Sequence, residues 1–279
     1  MAGVRRPAVA GSWYPGSAAA LEAAVDRHLQ AATRDVAGDL VALIAPHAGL
    51  TYSGPVAAHA YRLLRGRTFD VAVLVGPSHF VAFDGVSVST DDFETPLGAA
   101  VVDVPCAEAL LGYDAIVRTY PAAHAREHSL EMQLPFLKHL APDVPIVPMV
   151  MGHQTAWTAE ALGDALAGVL RGRRALVIAS TDLSHYHDAA TAASLDRVVI
   201  DCVERFDPGR LQRALDARPD HACGGGPTVA VMRAARALGA ADAVVLQYAD
   251  SGDVSGDKSA VVGYLAAAFG RFPASPTPR

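Results

Sequence analysis

The chain of 279 residues has only three cysteines, Cys106, Cys202 and Cys223. So low and odd a count argues against a disulfide framework and fits a reducing compartment. No apolar run approaches the roughly 20 residues that span a bilayer. The N-terminal stretch MAGVRRPAVAGSWYPG has two arginines but lacks the apolar core of a secretory signal. These absences predict a cytoplasmic protein with no membrane partner. Charged residues make up 19% of the chain and the formal net charge is -6, so no basic surface for nucleic acid is expected. Several reaction motifs are missing as well: the GxxxxGK[ST] phosphate loop, the HExxH zinc helix, the GxSxG elbow and paired CxxC. CGGGP has no strand immediately before it, which excludes a dinucleotide fingerprint.

What the chain does contain is a repeated pairing of buried strand and histidine. LVALIAPH ends at His47, VAVLVGPSH at His79 and ALVIASTDLSH at His185. Each run is short, continuous and rich in Val, Ile, Leu and Ala, as expected of strands buried on both faces of a parallel sheet. Ligands of open α/β sheets bind beyond the carboxyl ends of such strands. Imidazoles delivered there by three strands point to one site, and imidazole is the commonest protein ligand for transition metals.

The rest of the pattern predicts one α/β domain, 1–279, with a largely parallel or mixed central sheet flanked by helices. No linker or convincing internal repeat divides it. Residues 1–20 read as an ordered arm anchored by Trp13 and Tyr14, and 271–279 as a loose tail. Helices are expected at 18–32, 56–64, 155–170, 189–206, 208–217 and 228–238. Strands are expected at 40–45, 71–75, 144–151, 175–179, 244–248 and 260–265. PHAGLTYSGP reads as a loop. EHSLEMQLPFLKHL reads as helical, with Pro135 at a kink or in the first turn.

Among chemistry-bearing residues, His47 and His79 occupy matched loops, APHAG and GPSHF. Cys223 precedes three glycines, a proline and a helix, where a thiol is expected to ionise more readily. Pro227 suits a first helical position. Asp182 and His185, three residues apart, could serve as ligands, as an acid/base pair, or to orient other ligands. The plainer alternative is a helix cap and a solvent-facing ring. His128 could face the site from its loop, while Glu127 and Glu131 read as a solvated helix start. The remaining histidines read as structural.

The ordered set AGSWYPG, APHAGLTYSG, GPSHF, EHSLEMQLPF, STDLSHY and CGGGP resembles the Memo-like family, known in bacteria and archaea as AmmeMemoRadiSam system protein B. The resemblance runs from the N-terminus to residue 227. It implies a fold similar to LigB-type class III extradiol dioxygenases, which use non-haem Fe(II). By that resemblance His47, His79 and Cys223 become metal ligands. Asp182 and His185 line the same pocket, with His128 a further lining candidate, and iron or copper is the implied cofactor. The dioxygenases hold iron with two histidines and a carboxylate, whereas here a thiolate takes the carboxylate's place. A metal-dependent oxidoreductase acting on a small substrate is the leading expectation. Zinc-dependent hydrolysis by the same ligands and an accessory role beside a radical-SAM partner are the alternatives.

Overall fold

The computed structural model describes residues 3–273. Eleven strands are present among them. In chain order these are β1 (Val4–Arg5), β2 (Asp39–Ala45), β3 (Val71–Pro77), β4 (Val86–Val88), β5 (Asp92–Phe93) and β6 (Val117–Arg118). They continue with β7 (Ile146–Met151), β8 (Ala175–Ser180), β9 (Asp182–His187), β10 (Asp242–Asp250) and β11 (Val261–Arg271). β1 and β5 form a small ribbon, and the other strands form one mixed sheet in the order β10-β11-β2-β8-β3-β7-β4-β6, with β9 paired to β11.

Four neighbouring strands, β2, β8, β3 and β7, are parallel. Every residue of β3, β7 and β8 is buried, so these strands can be apolar throughout. Because β8 lies between β2 and β3, the loops that follow β2 and β3 close over its end from both sides. Helices cover the sheet; helix Gly225–Ala237 is buried nearly all round, whereas others bury one stripe. Helix Ala18–Ala31 turns Leu21, Ala24, Val25 and Leu29 inward, a spacing of three and four residues. The chain is a single α/β domain. No helix among the described residues is long and apolar enough to cross a membrane.

Several expectations need correction. The segment read as a loop after His47 is largely helical: the helix runs Leu50–Tyr61 with Pro55 inside it. Seven of its residues from Ser53 to Tyr61 are buried, and that packing outweighs the hydrogen bond proline cannot donate. STDLSHYH does not open a helix, because β9 pairs antiparallel with β11 (His185 opposite Val262, Asp182 opposite Tyr264). β11 extends to Arg271, and Phe272 N–H donates to Asp242 at 2.8 Å. The expected loose tail therefore begins no earlier than residue 273, and 274–279 lie outside the described residues. Pro135 does stand in the first turn of helix Leu134–Leu140.

Glu127 and Glu131 are the largest departures. Neither is solvated: they are 1% and 0% exposed. Glu131 is held by the N-terminal arm, accepting from the Arg5 guanidinium, from Ala8 N–H (2.7 Å), Val9 N–H (3.0 Å) and Tyr14 O–H (2.7 Å). Its partners lie more than a hundred residues away, so no local pattern announces them. The arm also reaches the histidine loops, since Trp13 O accepts from Leu50 N–H at 2.8 Å.

Arg5 Nε donates to the carbonyl of His124 at 3.0 Å. His124 is buried, with Nε2 2.9 Å from Ser87 Oγ. Burial, then the Arg5 charge, push this imidazole down to about 4. A base depressed in the folded state gives its full stability above its ordinary value near 6.5 and loses it as pH falls towards 4. His124→Gln should remove about 3 kcal/mol of that pH dependence. Urea unfolding at pH 7 and pH 4.5 measures it, and equal pH slopes in the two proteins would rule this reading out.

Candidate metal centre

Three side chains meet beyond the carboxyl ends of β2, β3 and β8. The candidate ligand atoms of His47, His79 and Cys223 lie within 4.8 Å of one another. His47 Nε2 is 3.2 Å from Cys223 Sγ. The order of strands explains this meeting. His47 and His79 come from strands on either side of β8, and Cys223 is drawn to β8's end by backbone hydrogen bonds. Cys223 N–H donates to Asp182 O (3.2 Å), Asp182 N–H donates to Cys223 Sγ (3.3 Å) and Gly224 N–H donates to Thr181 Oγ1 (2.9 Å). Residue 224 must be glycine here, because an added Cβ would lie 2.4 Å from Ser180 O.

Each imidazole has one nitrogen committed to the protein. Ser180 Oγ donates to Ser129 O (2.6 Å) and accepts from Gln133 Nε2 (2.7 Å). With its only proton spent, it can only accept from His47 Nδ1 at 2.9 Å. His47 therefore carries its proton on Nδ1 and turns a free Nε2 lone pair towards Cys223. His79 Nδ1 is 2.8 Å from Glu127 Oε1, which leaves Nε2 free in the same way. Glu127 also accepts from the N–H groups of His79 (2.6 Å) and Ser129 (2.9 Å). A carboxylate or hydroxyl fixing the far nitrogen is the usual support of a metal-ligating histidine.

Electrostatics point the same way. Burial, then the neighbouring His79, hold His47 well below the ordinary imidazole value, so it is a neutral donor. Burial opposes ionisation of Glu127, but the His79 side-chain and backbone hydrogen bonds and Ser129 N–H outweigh it and hold the carboxyl at about 2. The thiol departs from expectation. Burial, then the Asp182 carboxylate, push Cys223 well above the ordinary thiol value, and this outweighs its place before a helix N-terminus. That helix begins at Gly225, so Pro227 is its third residue and not its first. Asp182 and Glu127 both raise the thiol, so a bound cation would supply charge that favours the thiolate. Two free imidazole nitrogens and one thiol in reach of a common point suit a transition-metal ion.

Of the other expected site residues, Asp182 is buried against the ligands. Its Oδ1 accepts from His47 N–H (2.7 Å) and Ala48 N–H (3.3 Å), and Oδ2 lies 4.0 Å from His47 Nε2. Burial raises its carboxyl above the ordinary value. His128 is buried and stacks on His79, with ring centroids 4.4 Å apart and Trp13 at 4.4 Å on its other contact. His128, His79 and Glu127 form a second group with close donor atoms. Because Glu127 already holds His79 there, we treat that group as support for the first. His185 is half-buried on β9 opposite Val262 of β11, and no hydrogen bond joins it to His47 or Asp182. The sequence reading missed Glu127, Ser180, Gln133 and Gln154. Only Ser180, the hydroxyl that closes an apolar strand and opens STD, had a local signal.

Fold and site together define an α/β protein with a His-His-Cys cluster at the carboxyl edge of its parallel strands. The chain belongs to the Memo-like protein family, whose model matches residues 5–268. It is 42% identical over 269 residues to a MEMO1 family protein of Methanosarcina mazei, covering 94% of this chain and 98% of that one. A MEMO1 family protein of Nitrosopumilus maritimus is 33% identical over 273 residues, covering 95% and 99%. Among solved structures, the uncharacterized protein JW3007 from Escherichia coli K12 is similar in fold, with a TM-score of 0.52 at 17% identity over 81% of this chain and 99% of that one.

Proposed function

We propose that this protein is a mononuclear metal-dependent redox protein, holding iron or copper through His47, His79 and Cys223 and acting on a small substrate. The observation that carries the reading is the meeting of His47, His79 and Cys223, with each histidine's other nitrogen already engaged. Three protein ligands leave coordination positions open for a substrate or oxidant. A bound iron or copper ion would supply electron exchange and polarisation of a coordinated group.

The chain's own residues supply orientation and proton handling. Ser180 and Glu127 fix the two imidazoles, and Asp182 fixes the backbone at His47. His185 is the best placed acid/base group, since its half-exposed ring lies near the ligands and is not committed to them. His128 is buried beneath Trp13, and Asp182 already accepts two backbone hydrogen bonds, so both suit orientation better than proton transfer.

The test is elemental analysis after anaerobic purification. Near-stoichiometric iron or copper is expected, followed by oxygen uptake in the presence of small candidate substrates. Zinc in its place would move the reading to hydrolysis, with the same ligands activating a water. A folded protein that takes up no metal would overturn the centre and favour an accessory protein acting through a radical-SAM partner.

A further inference from the structure

Cys223 sits on a segment that cannot fix its own shape. Gly224, Gly225 and Gly226 follow it, and Gly224 caps the helix Gly225–Ala237 with no side chain to bond the first-turn N–H groups. The missing partner comes from Gln154, in the loop after β7, about seventy residues earlier in the chain. Gln154 Nε2 donates to Cys223 O at 2.7 Å, and Gly226 N–H donates to Gln154 Oε1 at 2.7 Å. One planar amide thus spans the glycines and grips the chain on both sides. Gly226 permits this approach, because an added Cβ would stand 2.8 Å from Gln154 Cβ.

On its other side the segment is tied to Asp182 and Thr181 by hydrogen bonds of Cys223 and Gly224, and Gln154 supplies the hold on the side facing solvent. Cys223, Gln154 and Gly226 border a cleft of about 360 Å³ that also touches Leu215 and Ala222. A Cys223 segment released from the amide has room to move into. We infer that Gln154 is a positioning residue for the Cys223 ligand, setting where the sulfur stands relative to His47 and Asp182. The inference rests on the proposed metal centre for its consequence, and on geometry alone for its cause.

Helix capping and ligand positioning use different halves of the amide, so they can be separated. In Gln154→Glu a carboxylate still accepts from Gly226 N–H, and its charge favours a helix N-terminus. It can no longer donate to Cys223 O and instead faces that carbonyl with a negative oxygen. Gln154→Met has similar length and loses both bonds. The experiment compares wild type, Gln154→Glu and Gln154→Met in three measurements. These are the thermal midpoint of metal-free protein, the rate of Cys223 alkylation by iodoacetamide read by peptide mass spectrometry, and Co(II) titration followed through the thiolate-to-cobalt charge-transfer band.

Gln154→Met, which adds no charge near the thiol, is expected to alkylate Cys223 roughly twofold to tenfold faster, the range for losing one hydrogen bond that restrains local opening, while Gln154→Glu keeps the wild-type midpoint. The Co(II) affinity of Gln154→Glu should fall about 10-fold or more, with a weakened sulfur band. Gln154→Met should show the same cobalt changes and a lower midpoint. A wild-type alkylation rate in Gln154→Met and a wild-type cobalt spectrum in Gln154→Glu would overturn the inference and leave Gln154 a helix cap only. If wild type itself takes up no Co(II), the metal reading fails, and the alkylation rates alone decide the positioning role.

Discussion

His47→Ala, His79→Ala and Cys223→Ser should each reduce bound metal from near-stoichiometric to background while leaving the protein folded. His47 and His79 follow separate strands and Cys223 precedes a helix, so removing one leaves only two of the three donors, and the neighbouring His128 is stacked on His79 beside Glu127. Asp182 is no ready replacement, because its Oδ1 already accepts from His47 and Ala48 N–H, and its Oδ2 stands 4.0 Å from His47 Nε2. Serine in place of Cys223 keeps the size and loses the soft, ionisable donor. Glu127→Gln should give a graded result. It keeps the shape beside His79 but loses the charge that makes the imidazole a better donor, so metal affinity should fall about 10- to 100-fold. Elemental analysis with circular dichroism as a folding control reads all four variants. Metal retained in the three ligand variants would eliminate this centre.

Arg5→Met should destabilise the protein by about 3–5 kcal/mol, the usual cost of removing one partner from a buried ion pair. Arg5 and Glu131 are both buried, and the guanidinium also donates to the carbonyls of His124 (3.0 Å) and Glu127 (2.6 Å). Methionine packs against Phe93, whose ring Arg5 covers at 5.0 Å, but leaves the Glu131 charge without a cation. A loss of that size is a large part of the about 5–15 kcal/mol that holds an ordinary domain together. The double variant Arg5→Met/Glu131→Met should recover only part of it. Ala8 N–H, Val9 N–H and Tyr14 O–H would then be left without their acceptor. Urea unfolding followed by circular dichroism measures both, and a single-variant loss below about 1 kcal/mol would put the pair in the class of weak surface bridges.

These two expectations differ in how far the sequence anticipates them. LVALIAPH, VAVLVGPSH and ALVIASTDLSH mark buried parallel strands because a strand covered on both faces has no polar side to show. The histidines beyond two of them stand at the sheet edge where they were expected. Cys223 joined that set through its glycines and through family likeness. Residues whose roles depend on distant partners were not legible. Glu127 and Glu131 carry the same local signature as an exposed helix start, and only the arm and the His79 loop give them a buried role.

The sequence by itself determined the six main strands, most helices and the places of His47 and His79 just beyond two of those strands, since hydrophobic periodicity and turn chemistry act over a few residues. Tertiary structure alone decided which nitrogen each histidine leaves free, why the thiol resists ionisation and what grips its segment. Those properties follow from Ser180, Glu127, Asp182 and Gln154, groups 41 to 133 residues from the side chains they govern. Hydrogen bonding and burial act through space, and only the folded chain sets those distances.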